Sequence, residues 1–204
     1  MRLRLVEFFV QDMLRYVMVL LPVYVLMRVL YMSARRQIPL WSRELLLAVC
    51  AAYGIALVSQ TLLPTGFYGI EDLEIYVQTI ASGHRSYNLI PMSTVGAYLF
   101  TQDDRVSDWG SVAFLNLAAN VALFVPLGFL APLAGERSRR LRSVLVLGVT
   151  VSLFIEVSQF LIGRSADIDD VILNVIGAGI GYGAWLVAQR MRATSVRVEA
   201  TELS

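Results

Sequence analysis

Lysine is absent from this chain of 204 residues, and cysteine and histidine occur once each. A single cysteine, Cys50, excludes a disulfide framework and a thiolate metal cluster, and its apolar surroundings favour a packing role. The single histidine, His84, lies in a polar connection, where a role as base or metal ligand is the weaker interpretation. The sequence contains no P-loop, no G-x-S-x-G, no H-E-x-x-H and no Ser–His–Asp order. The common hydrolase, zinc-protease and nucleotide-binding motifs are therefore excluded.

Charge is also scarce. Charged residues make up 16% of the chain and hydrophobic residues 57%, whereas soluble proteins contain roughly 45–50% apolar residues. The charges cluster in connections between apolar runs. This composition predicts an integral membrane protein with an all-α fold, a polytopic transmembrane helix bundle of four to five spans. The lipid bilayer is then its first partner, and nucleic-acid binding is not expected because the arginines occur in small, scattered groups.

Apolar runs of about 20 residues mark the spans. The first run is short and contains Pro22 and Arg28, so four spans are the alternative to five. The acids before it interrupt the apolar stretch, which predicts an amphipathic lead-in and not a signal peptide. Arg28 is expected to extend towards the basic connection that follows. The predicted spans are Tyr16–Met32, Leu45–Leu63, Val112–Leu133, Ser143–Ile162 and Val171–Ala188.

The connections differ in charge, and this difference predicts orientation. Arginines cluster between spans one and two, between spans three and four, and in the tail, so these parts face the cytoplasm by the positive-inside rule. The connection over residues 65–111 is acidic and therefore faces outward. Within it, Leu73, Val77 and Ile80 recur at helical spacing, which predicts a helix on the membrane surface. The predicted divisions are an N-terminal part (1–64), this partly helical connection (65–111), a three-helix core (112–190) and a cytoplasmic tail (191–204).

Polar side chains inside the last three spans are expected to lie at one depth, because successive spans run in opposite directions. Asn116 and Asn120 share a face of span three, and Asn174 lies about one turn inside span five. Span four carries a polar face that ends in a short acidic connection. Its residues are Ser152, Glu156 and Gln159, followed by Arg164, Asp167, Asp169 and Asp170. The sequence therefore predicts a pocket that is open outward and lined by carboxylates and amides.

Each of these residues has a simpler interpretation. Glu156 has Arg164 as its nearest candidate cation, but it is also interpretable as a structural acid bonded to Asn116 or Asn120. The three aspartates can bind a divalent cation through oxygen, or they can form a solvated turn that caps span five. The run GAGIGYG over residues 177–183 is typical of close helix packing, and a ligand role is the weaker hypothesis.

The same residues carry a resemblance to the VanZ-like family, whose namesake is associated with resistance to the glycopeptide teicoplanin. The matching pieces are distributed over roughly the later six-tenths of the chain, in the family's order, and Met92 stands where the family often has Phe. The pieces are NLIP (88–91), NLAANVALFVPLGFLAPL (116–133), IEVSQ (155–159) and RSADIDDVILNVIGAGIGY (164–182). The resemblance implies a multi-pass protein of the bacterial inner membrane that acts in the cell envelope. It also adds Asn88, from the first piece, to the expected site.

Two functions follow as hypotheses. In the first, the pocket binds an amphipathic, lipid-linked or glycopeptide ligand through Asn88, Asn116, Asn120, Gln159, Arg164 and Asn174. In the alternative, the chain is an intramembrane enzyme of acid–base or metal-assisted chemistry, with Glu156, Asp167, Asp169 and Asp170 as the candidate catalytic residues. A proton- or ion-coupled carrier ranks third, because no inverted repeat is evident.

Overall fold

The computed structural model describes residues 2–63, 74, 77–78, 80–82, 86–100 and 109–202. Within them the chain is all-α except for one pair of two-residue strands. The predicted surface helix lies partly outside the described residues, although Val77 and Ile80 are helical. His84 lies outside them altogether. The helices are α1 (Arg2–Ala34), α2 (Trp41–Thr61), α3 (Ser93–Phe100), α4 (Trp109–Ala134), α5 (Leu141–Leu161) and α6 (Ile168–Glu202).

Five of these helices are long and apolar enough to cross a membrane, which confirms the predicted class of multi-pass all-α protein. The candidate spans lie in α1, α2, α4, α5 and α6. Their bounds are Phe9–Ala34, Trp41–Thr61, Phe114–Ala134, Leu141–Leu161 and Ile168–Thr194. The predicted amphipathic lead-in lies at the start of α1, which is one continuous helix of 33 residues. The candidate span within α1 begins at Phe9 and includes Asp12.

The described residues form two compact units, each with its own packing. The first unit contains α1, α2, the strand Tyr87–Asn88 (β1) and Phe154–Asp167. Within it, β1 pairs in parallel with the strand Ala166–Asp167 (β2). The segments between Leu89 and Phe154, together with the chain from Ile168 onward, form the second unit.

In the first unit, α1 and α2 are joined by a bidentate ion pair. The Arg28 Nε atom donates to Glu44 Oε2 at 2.7 Å, and its second guanidinium nitrogen donates to Oε1 at 2.9 Å. The parallel geometry of guanidinium and carboxylate makes this one of the stronger ion-pair arrangements in proteins. Arg28, which is predicted to extend towards the basic connection, pairs with an acid in the first turn of α2.

In the second unit, α4 and α6 run in the same direction and touch backbone to backbone. Gly177 contacts the carbonyl of Val121 and Gly181 contacts that of Val125, so closely that a Cβ atom at either glycine would overlap the oxygen. Gly128 contacts α6 in the same way. Small residues at four-residue spacing allow this approach between membrane helices. The part of α5 that belongs to this unit runs antiparallel to α6, as the short connection between them predicts.

Candidate functional site

The polar residues that the sequence analysis selected fall into two clusters, one in each unit. The first cluster consists of Asn88, Glu156, Gln159, Arg164 and Asp167. The second cluster consists of Asn116, Asn120, Asp169, Asp170 and Asn174. A single pocket containing all ten remains a prediction, and the geometry within each cluster is described separately.

The connection that follows α5 places the first cluster. Gly163 has a φ of 82°, a left-handed conformation that favours glycine. The Gly163 N–H donates to the Phe160 carbonyl and the Arg164 N–H to the Gln159 carbonyl, the pair of bonds that closes a Schellman turn. This turn ends α5 and leads the chain into β2, and it fixes where Arg164 leaves the helix.

Two donors of the first cluster meet at the end of α2. The Gln159 Nε2 and Arg164 guanidinium nitrogens donate to the carbonyl oxygen of Thr61, at 3.0 and 2.9 Å. Thr61 is the last residue of α2, where carbonyl groups lack partners inside the helix and the helix dipole favours a cation. The structure therefore assigns Arg164 a partner in the α2 carbonyl. Sequence reasoning missed this partner because a backbone carbonyl has no residue signature.

The two acids of the first cluster have different environments. Glu156 is 6% exposed, and its Oε2 atom accepts the backbone N–H of Asp167 at 2.8 Å. Asp167 is half-buried, and its Oδ1 atom accepts from the Asn88 amide at 3.3 Å. Pairing of β1 with β2 brings Asn88 and Asp167 side by side. The buried acid therefore holds the turn, and the acid paired with an amide remains accessible.

Asp169 is the most buried acid of the second cluster, at 1% exposure. Its carboxylate accepts three backbone N–H groups, from Met92 at 2.5 Å, Thr94 at 2.8 Å and Val95 at 3.0 Å. These groups surround the start of α3, where a helix has N–H groups without internal partners. Met92 has a φ of 65°, which is unfavourable for a residue with a side chain. Asp169 therefore acts as an anchor for this segment, which sequence reasoning did not foresee.

Asp170 and the α4 amides form the accessible part of the second cluster. The Asn120 amide nitrogen donates to Asp170 Oδ1 at 2.5 Å. One turn earlier on α4, the Asn116 amide nitrogen donates to the hydroxyl of Tyr98, a residue that the sequence analysis did not select. Asp170 and Asn120 are half-buried and Asn116 is exposed. The Asn120–Asp170 contact brings an α4 amide to an acid in the first turn of α6.

Asn174 completes the second cluster one turn further along α6. It is 4% exposed, and its amide nitrogen donates to the Ser152 hydroxyl at 2.9 Å. Its Oδ1 atom is buried and has no hydrogen-bond donor among the described residues. Such an acceptor is uncommon in a folded protein and typically marks strain, a bound group or function.

The chemistry that these residues can perform is mainly hydrogen bonding. Each cluster combines a buried acid that binds backbone N–H groups with a half-exposed acid bonded to an asparagine. Within the described part of the chain, no three side chains of the His, Cys, Asp and Glu types converge as a metal site. The divalent cation stays a prediction.

Comparisons with known proteins agree with the resemblance found in the motifs. No curated protein and no solved structure is similar enough to match the chain. The family model of VanZ/LLP1 matches residues 50–189, which include both clusters and four of the five candidate spans in whole or in part. The chain therefore belongs to the VanZ/LLP1 family.

Proposed function

We propose that this protein lies in the bacterial inner membrane and binds the head group of an amphipathic or lipid-linked envelope ligand. The observation that carries the proposal is the half-exposed Asp170–Asn120 pair beside the anchored Asp169. A carboxylate has about four lone-pair directions, and an amide both donates and accepts, so a half-exposed pair of this kind offers a ligand both donors and acceptors. The half-exposed Asp167–Asn88 pair repeats this arrangement in the first unit.

The proposed orientation places both clusters on the outer side and the C-terminus in the cytoplasm. It is supported by four arginines within six residues at the connection between α4 and α5, Arg137, Arg139, Arg140 and Arg142. Cysteine labelling tests it in a Cys50→Ala background. Ser138→Cys should react only with reagent that reaches the cytoplasm, and Ser165→Cys should react with impermeant reagent added outside. The reverse pattern would contradict the orientation.

Ligand binding is tested by purifying the protein with its native lipids and identifying the retained molecules by mass spectrometry. We expect the wild-type protein to retain an envelope amphiphile that Asp170→Asn and Asp167→Asn bind less well. Glu136→Gln is the matched control, because Glu136 is an exposed acid in the α4–α5 connection. If all four proteins retain the same lipids in the same amounts, the binding proposal is wrong.

The family points to glycopeptide resistance as the physiological effect, which forms part of this proposal. Expression in a teicoplanin-susceptible bacterium should raise the inhibitory concentration, and Asp170→Asn should lower that gain while membrane levels stay equal. If the protein inserts normally and the inhibitory concentration does not change, the resistance part of the proposal is wrong, and ligand binding is then judged by the lipid measurement alone.

The second candidate function is an intramembrane acid–base or metal-assisted enzyme. The exposure of the acids favours an enzyme in which Asp167 and Asp170 are the reactive groups, because both are half-exposed and can contact a substrate. Glu156 and Asp169 are buried and accept backbone N–H groups. Incubation of the purified protein with total envelope lipid, with and without added Mg²⁺ or chelator, tests it. A new lipid product that Asp170→Asn fails to form would favour the enzyme, and unaltered lipid would favour binding alone.

A further inference from the structure

A groove runs along one face of α5 in the second unit. Its volume is about 420 Å³, within the range of about 300–1,000 Å³ that is typical of ligand sites. Six described residues line it, and their positions recur every four residues on one face of the helix. They are Leu141, Arg142, Leu145, Val146, Val149 and Thr150. None of the six belongs to either cluster of the candidate site, so the groove is a separate feature of the protein.

The opposite face of α5 packs within the second unit and leaves the groove open. Val144 is fully buried, and Gly148 lies against Ala178 of α6. In the groove, by contrast, Val146 is 58% exposed and Val149 is 37% exposed. Both valines belong to a candidate membrane span, so the hydrocarbon of a lipid can contact them.

The lining of the groove is apolar below one charged end. Arg142 is exposed and is the second residue of α5, and the candidate span begins one residue earlier, at Leu141. The Arg142 side chain can therefore extend from the edge of the hydrocarbon into the head-group region. At the other end, the Thr150 hydroxyl donates to the Val146 carbonyl at 2.8 Å. A ligand in the groove thus meets a cation at the membrane boundary and mainly apolar surface below it.

The length of the groove fits one leaflet of a bilayer. Arg142 and Thr150 are eight residues apart, which corresponds to about 12 Å along the helix axis. One leaflet contributes about 15 Å of hydrocarbon, half the thickness of the apolar core. An acyl chain whose head group lies beside Arg142 therefore covers the groove as far as Thr150.

The charges near the head-group end favour an anion. Residues 136–142 contain four arginines and one glutamate, and this glutamate, Glu136, lies 3.7 Å from Arg139. Basic residues beside a membrane attract anionic lipids, and a guanidinium group can bind a phosphate through two parallel hydrogen bonds. Of the four arginines, Arg142 is the one that lines the groove.

We infer that this groove binds an anionic phospholipid, with one acyl chain along Val146 and Val149 and the phosphate beside Arg142. In the proposed orientation this lipid belongs to the cytoplasmic leaflet, whereas the envelope ligand is bound on the outer side. The inference does not depend on the proposed function, because the two sites share no residue.

The test compares phosphatidylglycerol with phosphatidylcholine of identical acyl chains, because both carry a phosphate and phosphatidylglycerol alone has a net negative charge. The delipidated full chain in detergent receives an equimolar mixture, and retained lipid is counted by native mass spectrometry. We expect phosphatidylglycerol to be retained about tenfold more, which corresponds to about 1.4 kcal/mol.

One pair of variants tests the head group. Arg142→Gln should reduce the retention of phosphatidylglycerol to that of phosphatidylcholine. Arg190→Gln is the matched control and should keep the preference, because Arg190 is an exposed arginine of α6 that does not line the groove.

A second pair tests the acyl chain. Val146→Trp fills the groove and should lower the retention of phosphatidylglycerol about fivefold, since the chain loses its apolar contact surface. Val187→Trp, on α6, is the control and should leave retention unchanged, because Val187 is 57% exposed and does not line the groove. All four replaced side chains are exposed, so the fold should be kept.

Equal retention of the two lipids by the wild-type protein would overturn the inference. A preference that Arg142→Gln and Arg190→Gln lower equally would indicate general attraction to basic residues and would overturn the site. Retention that Val146→Trp leaves unchanged would place the acyl chain outside the groove, and the inference would again be wrong. The proposed function is judged separately, by the envelope ligand that Asp170→Asn and Asp167→Asn retain.

Discussion

In the first cluster, the buried Glu156 carboxylate, in α5, accepts the backbone N–H of Asp167, eleven positions later in the chain. In the second, the buried Asp169 carboxylate accepts three N–H groups from a segment 74–77 positions earlier. Glu156 thus stabilises a local turn, whereas Asp169 holds together distant parts of the chain. Loss of a long-range anchor also releases the segment that it holds, so the two acids should differ in their contribution to stability.

The helix pairs of the two units differ in a similar way. The α1–α2 pair includes an ion pair between long side chains, Arg28 and Glu44. The α4–α6 contact depends on glycines whose backbone touches carbonyl groups of the other helix. Side chains can adjust when a neighbour changes, but two backbones in contact cannot, because interiors are close-packed. The second unit should therefore tolerate substitution least.

The largest effect is expected for Gly181→Val. Its Cβ atom would overlap the Val125 carbonyl oxygen, so α4 and α6 must separate. We expect a loss of about 3 kcal/mol or more in the free energy of unfolding, measured by thermal unfolding in detergent. Gly183→Val is the control on the same helix, since a Cβ atom there meets nothing within 4 Å. Equal unfolding temperatures for the two variants would contradict the role of this contact.

Asp169→Asn should have the next largest effect. The three N–H groups lose a charged acceptor, and hydrogen bonds to charged groups contribute about 1.5–3 kcal/mol each, so a total loss of about 3 kcal/mol is expected for this partial replacement. Hydrogen exchange provides the specific measurement, because the amides of Met92, Thr94 and Val95 should exchange faster. Unchanged protection of these three amides would show that Asp169 does not anchor the segment.

These contacts also show what the sequence alone could predict. Helix period and span direction predicted that the α4 asparagines and the acids near the start of α6 lie at a similar depth, but not that Asn120 and Asp170 form a pair. The close packing at Gly177 and Gly181 followed from small residues four apart in an apolar run. Each of these inferences uses local periodicity together with the alternation that a membrane imposes on successive spans.

The contacts that escaped prediction depend on the path of the backbone. The N–H groups around Met92 and the carbonyl of Thr61 carry no side-chain identity, so no residue pattern marks them as partners of Asp169 and Arg164. The Arg28–Glu44 pair was within reach, since a short connection brings these helices together. It was missed because the sequence analysis considered only the arginines of this connection and not Glu44, which follows Arg43.

A smaller effect, opposite in sign, is expected for Asp12→Asn. Asp12 is 2% exposed, and neither carboxylate oxygen has a hydrogen-bond donor among the described residues of the first unit. Replacing a buried carboxyl group that lacks hydrogen-bond donors with an amide of the same shape should raise stability by about 1–2 kcal/mol. Thermal unfolding measures this gain. Glu7→Gln, at an exposed position of α1, is the control and should leave the unfolding temperature of the wild-type protein unchanged. A fall in unfolding temperature would show that Asp12 has a partner that supports the fold.

Glu156→Gln is expected to have the smallest effect and bears most directly on the comparison of the two acids. Glutamine keeps one carbonyl oxygen that can accept the Asp167 N–H, so this hydrogen bond loses its charge contribution, about 1 kcal/mol. Faster hydrogen exchange should be confined to the Asp167 amide, with Met92, Thr94 and Val95 protected as in the wild-type protein. Ser158→Ala is the control on α5, because the Ser158 hydroxyl bonds only to its own helix at Phe154. A loss as large as that of Asp169→Asn would mean that Glu156 holds more than its own turn, and the distinction between a local and a long-range anchor would then be wrong.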